Sequence, residues 1–99
     1  MSDEADLISQ IAAGDADAFG RWAVSAEPSL RRSLRPFAVS LDTEAVLQEA
    51  LLRVWQVAPR FIPDGAPNAL LRFAMTVTRH TAISELRRSR PSRDRKSVV

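Results

Sequence analysis

The residues with the most chemistry in this chain are arginines at helical spacing toward its C-terminal end. Arg72, Thr76, Arg79, Ile83 and Arg87 recur at intervals of 4, 3, 4 and 4, with His80, Ser84 and Arg88 flanking them. An Arg guanidinium is a planar fork of donors. It engages phosphate bidentately or reads guanine in a major groove. His and Ser are small polar groups able to reach base edges or phosphates. Arg90, Arg93, Arg95 and Lys96 extend the positive field, the source of salt-dependent affinity for a polyanion. Charge alone does not separate this reading from a solvated helix face followed by a charged tail.

A second constellation lies upstream, in the segment DTEAVLQEALLRVW at residues 42–55. Glu49 and Arg53 stand four apart with the acid first, the better orientation for an ion pair on a helix. Gln48, Leu52 and Gln56 share that side. One reading is surface decoration worth a few tenths of a kcal/mol. The other is a docking face for a basic, partly apolar partner helix, with Leu52 as its exposed apolar contact.

These side chains need helices to hold them, and the sequence supplies helix signals throughout. Residues 4–13 carry Leu7, Ile8, Ile11 and Ala12 at helical spacing. Gly14 suits a helix end, because glycine takes the left-handed conformation there. Asp15 offers an N-cap for a second helix containing Phe19, Trp22 and Ala23. Pro28 suits the first turn of a third helix over 28–39, with Leu30, Leu34, Phe37 and Ala38 as its apolar stripe. Asp42 is an N-cap for the next, with Leu41 and Val46 as a hydrophobic staple around it. Val46, Leu47, Ala50, Leu51, Val54 and Ala58 form its inner side until Pro59 stops it.

Residues 59–68, PRFIPDGAPN, read as a restricted loop. Pro67 can open the last helix, which runs to 88 or 90 with Leu71, Ala74 or Met75, Thr78, Ala82 and Leu86 buried. Trp22, Trp55 and Phe73 read as packing residues. No strand alternation persists. The expected fold is all-α, a bundle of four to five helices with short connections and antiparallel neighbours.

Composition sets further bounds. The chain has 99 residues and 45% apolar content, enough for one small domain. Its net charge of +2 hides an asymmetry. Residues 1–64 hold six arginines against ten acids, a net −4, whereas 65–99 hold eight basic residues against two acids, a net +6. A basic end on a mildly acidic body fits a polyanion partner at that end. There is no cysteine, so disulfides and Cys-based zinc sites are excluded, in keeping with a reducing cytoplasm. No apolar run approaches the roughly 18–20 residues of a membrane span, and the acidic N-terminus lacks the layout of a signal peptide. One His, no Gly-rich phosphate loop and no acid/His cluster at ligand spacing argue against an enzyme, a metal site or a cofactor. His80, Ser84 and Glu85 are helix neighbours whose spacing alone does not make a catalytic set.

The two helices, in this order, resemble region 2 of the sigma-70 family, closest to its extracytoplasmic-function group. There the first helix commonly reads D-x-E-D-L-x-Q-E-x-F-x-x-x-W, and Asp42, Glu44, Gln48, Glu49 and Trp55 fall in step. The second commonly reads W-L-x-x-I-A-x-N-x-x-x-D-x-x-R-R, and Phe73, Val77, Arg79, Ile83, Arg87 and Arg88 fall in step. Upstream, Gly14-Asp15-x-x-Ala18-Phe19 looks like the family's first conserved turn. The match covers about residues 5–90.

The resemblance implies a domain that docks on the clamp helices of the RNA polymerase β′ subunit. It then captures the −10 promoter element, mostly through the non-template strand, as the duplex melts. By carry-over, Asp42, Gln48, Glu49 and Arg53, with Leu52, face polymerase. Phe61, Asn68 and Arg72 are the loop-side candidates for DNA; Arg79, His80, Ser84, Arg87 and Arg88 are the helix candidates.

The sequence also departs from the pattern. Ala45 stands where the family usually has a second acid, Leu51 where Phe is common and Phe73 where Trp is usual. His80 replaces Asn, and Ser84 replaces Asp. The expected organisation is a helical domain over 1–90 and a disordered basic tail over 91–99. No region 4, the helix-turn-helix domain that reads the −35 element, is expected. The lost Asn and Asp motivate an alternative: a degenerate sigma-like module that binds polymerase or an anti-sigma protein without productive promoter recognition.

Overall fold

The computed structural model describes residues 3–61 and 68–88. Among them the chain forms four α-helices and no strand: α1 (Asp3–Ala12), α2 (Ala16–Ser33), α3 (Thr43–Val57) and α4 (Ala69–Arg88). Short 3₁₀ turns at Arg35–Phe37 and Ala58–Arg60 follow α2 and α3. The basic tail over 91–99 lies outside the described residues.

Local chemistry sets the boundaries. Gly14 has φ +97, a backbone region that L side chains rarely adopt, and it closes α1. Asp15 then caps α2, its Oδ1 accepting from the Ala18 N–H at 3.1 Å. Asp42 caps α3 in the same way, its Oδ1 accepting from the N–H groups of Glu44 (3.1 Å) and Ala45 (3.2 Å). Leu41 packs against the core one residue before this cap, and Val46 is buried one turn after it, as a hydrophobic staple requires. At the other end Pro59 turns the chain into the Ala58–Arg60 turn. Asn68 precedes α4 with φ 59, a conformation Asn tolerates better than most residues, and its carbonyl accepts from the Arg72 N–H at 2.9 Å. Pro67, expected as the opener of this helix, lies outside the described residues.

Two expectations need correction. Pro28 does not begin a helix; it lies inside α2, which runs unbroken to Ser33. The buried residues Ala18, Trp22, Ala26, Leu30 and Leu34 recur every four residues straight through it. An interior proline costs about 3 kcal/mol. Burying two leucines beyond it returns about 1.5–3 kcal/mol each, so packing overrides the local break. Val24, whose carbonyl loses its helical donor to Pro28, is 71% exposed. The predicted helix over 28–39 is therefore the end of α2 followed by the Arg35–Phe37 turn.

The second correction concerns α4. Its buried residues are Ala69, Leu70, Ala74, Thr78, Thr81 and Ala82, so the inward face is rotated from the expected one. Leu71 and Leu86 are only partly buried and Met75 is 37% exposed. Ala74, Thr78 and Ala82 are inside as expected. Leu51 of α3, expected in its inner stripe, is only partly buried.

The core gathers Ile8 and Ile11 of α1, the α2 series, Val46, Leu47 and Val54 of α3, and Leu70, Ala74 and Ala82 of α4. Phe19 bridges Trp22 and Trp55, with ring centroids at 5.5 and 5.0 Å, so both tryptophans pack as expected. The most extensive helix contact is α3 on α4. The start of α3 meets the end of α4, so the pair is antiparallel.

Candidate functional site

The α3–α4 pair carries every described candidate side chain except Asp42, which caps α3, and Phe61 and Asn68, which precede α4. On α3, Gln48, Leu52 and Arg53 are exposed and Glu49 is partly so. Leu52 is 54% exposed, as a docking contact requires. The Glu49 Oε2 accepts from Arg53 Nη2 at 2.8 Å, the predicted pair. Asp42 serves the helix first, through its cap. Glu44 turns elsewhere and pairs with Arg31 of α2 across the bundle. Arg31 also lies 3.5 Å from Glu27.

At the start of α3 a recess of about 120 Å³ is lined by Leu41, Asp42, Ala45, Val46 and Glu49, with Glu85 from α4. Three carboxylates surround an apolar floor at this end of the α3–α4 seam, and Glu49 is already paired with Arg53. Glu85 also pairs with Arg88.

On α4, Arg72, Arg79, His80, Ser84, Arg87 and Arg88 are all exposed. At 100° per residue they do not form one line. Arg72, Thr76, Arg79 and Ile83 run along the side away from α3. His80 and Ser84 run along the flank nearest α3, with Arg87 between the two rows. Thr76 Oγ1 donates to the Arg72 carbonyl at 3.2 Å, which ties that hydroxyl to its own helix.

Before α4, Phe61 is partly buried, its ring 5.2 Å from Phe73, and Asn68 is exposed. Phe73 thus packs beneath the surface as expected, and Phe61 lies against it. Residues 62–67 of the expected loop lie outside the described residues.

The structure brings together two residues that the sequence assigned to different faces. Arg53 and His80 line opposite walls of a groove of about 330 Å³ between α3 and α4, with Gln56 and Val57 on one side and Val77 and Thr81 on the other. Thr81 is 2% exposed, and its hydroxyl has no hydrogen-bond partner among the described residues. Thr78, fully buried, has an equally unpartnered hydroxyl. Sequence reasoning passed over this groove and the Arg31–Glu44 pair.

Fold and surface together define a small all-helical domain that sets an amphipathic acidic helix beside a basic one. Residues 27–91 match the family model of sigma-70 region 2, and the chain belongs to that family. The match takes in the last seven residues of α2 with all of α3 and α4, and leaves α1 and the Gly14–Phe19 turn outside it. Neither a curated protein nor a solved structure matches the chain significantly. Region 2 is a non-enzymatic domain of transcription initiation factors, so the chain has a sigma-factor role in transcription initiation, a role that involves core RNA polymerase and promoter DNA. No helix among the described residues is long and apolar enough to cross a membrane.

Proposed function

We propose that α3 docks this domain on the β′ clamp helices of core RNA polymerase while α4 and the 59–68 loop capture the −10 element through its non-template strand. The docking residues are Asp42, Gln48, Glu49, Leu52 and Arg53. The strand-facing residues are Phe61, Asn68, Arg72, Arg79, His80, Ser84, Arg87 and Arg88. The setting is the cytoplasm, and the closest group is the extracytoplasmic-function sigma factors.

The observation that carries this reading is the separation of charge across one antiparallel helix pair. The α3 face offers a paired Glu49–Arg53 around exposed Leu52, suited to a partner helix that is itself basic and partly apolar. The α4 face offers Arg72, Arg79 and Arg87, all exposed, suited to phosphates.

The test is co-elution of the chain with core RNA polymerase, with Glu49→Ala alongside. Wild-type co-elution that the variant loses supports the docking face. Undiminished co-elution of Glu49→Ala shows that the face lies elsewhere. The second reading is a module that binds polymerase or an anti-sigma protein without productive promoter recognition. It is favoured by His80 and Ser84 at positions where the family carries Asn and Asp. Base-selective binding to a −10-like single strand counts against it.

A further inference from the structure

The outward side of α3 lies between two ion pairs. On the side nearer α4, Glu49 is held by Arg53 of the same helix. On the side nearer α2, Glu44 is held by Arg31, 13 residues back across the Arg35–Phe37 turn. Gln48 and Leu52, both exposed, run on from Glu44. These three are four residues apart, so each is offset by about 40° from the last and they form one strip along α3. The Arg31–Glu44 pair thus ties the first carboxylate of that strip to a neighbouring helix.

Arg31 has a second carboxylate within reach. Its Nη2 lies 3.5 Å from Glu27 Oε1, one turn back along α2. One guanidinium therefore stands between two carboxylates, and the trio keeps an excess of negative charge. All three side chains are open to solvent, at 47% for Arg31, 59% for Glu44 and 38% for Glu27. Ion pairs this exposed are weak and exchange readily. A cation that takes Glu44 leaves Arg31 with Glu27, so the exchange strands no charge.

Resting on the reading of α3 as the polymerase-docking face, we propose that Arg31 is an intramolecular competitor for Glu44. In the free domain it neutralises the carboxylate at the head of the docking strip. On docking, a cationic side chain of polymerase takes its place and Arg31 falls back on Glu27. Arg31 therefore lowers the affinity of the face for polymerase. It also flattens the salt dependence, because one ion pair is exchanged for another rather than added. A surface with no cation opposite Glu44 gains nothing by displacing Arg31, so the contact also serves selectivity.

The experiment titrates the fluorescently labelled chain with core RNA polymerase at low and high salt. The variants are Arg31→Gln, Glu44→Gln and the two combined, with Glu49→Ala as the control on docking itself. Arg31→Gln keeps an aliphatic stem and removes the charge. It should bind about two- to fivefold tighter than wild type at low salt, the scale of one exposed ion pair. The gain should shrink at high salt as the charges are screened. In the Glu44→Gln background the same change should lose most of its gain, because the carboxylate it uncovers is no longer there. Damage to the fold would weaken binding, so a gain in affinity is not a folding effect.

If Arg31→Gln binds no tighter than wild type while Glu49→Ala still weakens binding, the competitor proposal is wrong and the docking reading stands. A full gain in the Glu44→Gln background also overturns it, since Arg31 then acts on polymerase and not through Glu44. A gain that high salt leaves untouched overturns it as well. If neither Arg31→Gln nor Glu49→Ala changes polymerase binding, or the wild type does not bind at all, the proposal and the docking reading fall together.

Discussion

Asp42 has two assignments that one pair of substitutions separates. Its Oδ1 accepts from two N–H groups at the start of α3, at 3.1 and 3.2 Å, and it belongs to the face assigned to polymerase. Asp42→Ala removes the acceptor and leaves both donors to solvent. Losing an Asp cap costs about 1 kcal/mol, within a range of roughly 0.5–2. Both hydrogen bonds are toward the long end of the normal range, which argues for the middle of that range rather than its top. For a domain of this size about 1 kcal/mol lowers the thermal midpoint by roughly 4–8 °C.

Asp42→Asn keeps a side-chain oxygen for the cap and removes only the charge, whose interaction with the helix dipole is worth about 0.3–1 kcal/mol. Thermal melts followed by circular dichroism, run beside polymerase binding, read the two roles independently. The Ala variant should melt clearly lower and the Asn variant only slightly lower. If Asp42 also meets a cation on polymerase, the Asn variant loses polymerase affinity out of proportion to its stability. An Asp42→Ala midpoint within a degree of wild type would refute the capping argument.

The remaining expectations concern α4 and the core. Arg79→Ala and Arg87→Ala should each weaken single-strand binding for all sequences alike and flatten the salt dependence by about one unit of slope for each phosphate no longer neutralised, read by titration at several salt concentrations, with helicity unchanged. Thr78→Val replaces a fully buried hydroxyl, unpartnered among the described residues, with a methyl, removing a penalty of about 1–3 kcal/mol, so the thermal midpoint should rise; a fall would show that the hydroxyl has a partner in solution. Leu30→Ala opens a cavity at a position with no solvent exposure and should cost about 2–5 kcal/mol, visible as a large drop in denaturant midpoint.

Much of this architecture was legible because short-range chemistry wrote it. Gly14, Asp15, Asp42 and Pro59 act on backbone groups within four residues, and their positions name helix ends directly. The Glu49–Arg53 pair is likewise local. Pro28 misled because its local cost was outweighed by Leu30 and Leu34 farther along the same face, a balance no short window reveals. The rotation of α4 was illegible for a different reason. Leu70, Leu71, Phe73, Ala74, Met75 and Val77 spread apolar groups over more than half the circumference of its first turns, so periodicity does not choose between Leu70 and Leu71. The choice is made by α2 and α3, which pack against it. The Arg31–Glu44 pair and the groove between Arg53 and His80 are products of tertiary approach and leave no spacing to read.

The departures from the sigma pattern divide by where the structure puts them. Leu51 and Phe73 are partly buried against the core, so they trade one packing shape for another, and the Phe61 ring against Phe73 fills space beside the smaller aromatic. Ala45, His80 and Ser84 are exposed and change what a partner meets. The loss at Ala45 is offset in place, because the recess that Ala45 lines also receives Glu85 from α4. A carboxylate therefore still faces that end of the α3–α4 seam, though it shares its charge with Arg88. No such offset accompanies His80 and Ser84. His80 lines the groove, which has no carboxylate on its lining, and Ser84 is exposed one turn farther along α4, so where the resemblance implies Asn and Asp this chain offers an imidazole and a hydroxyl. On the proposed assignment, the face given to docking keeps its carboxylates while the residues given to base reading differ from the family pattern. If that proposal holds, this chain differs from its family in −10 preference while polymerase binding is kept, so Glu49→Ala should abolish polymerase co-elution whereas His80→Asn with Ser84→Asp should change only the preferred strand.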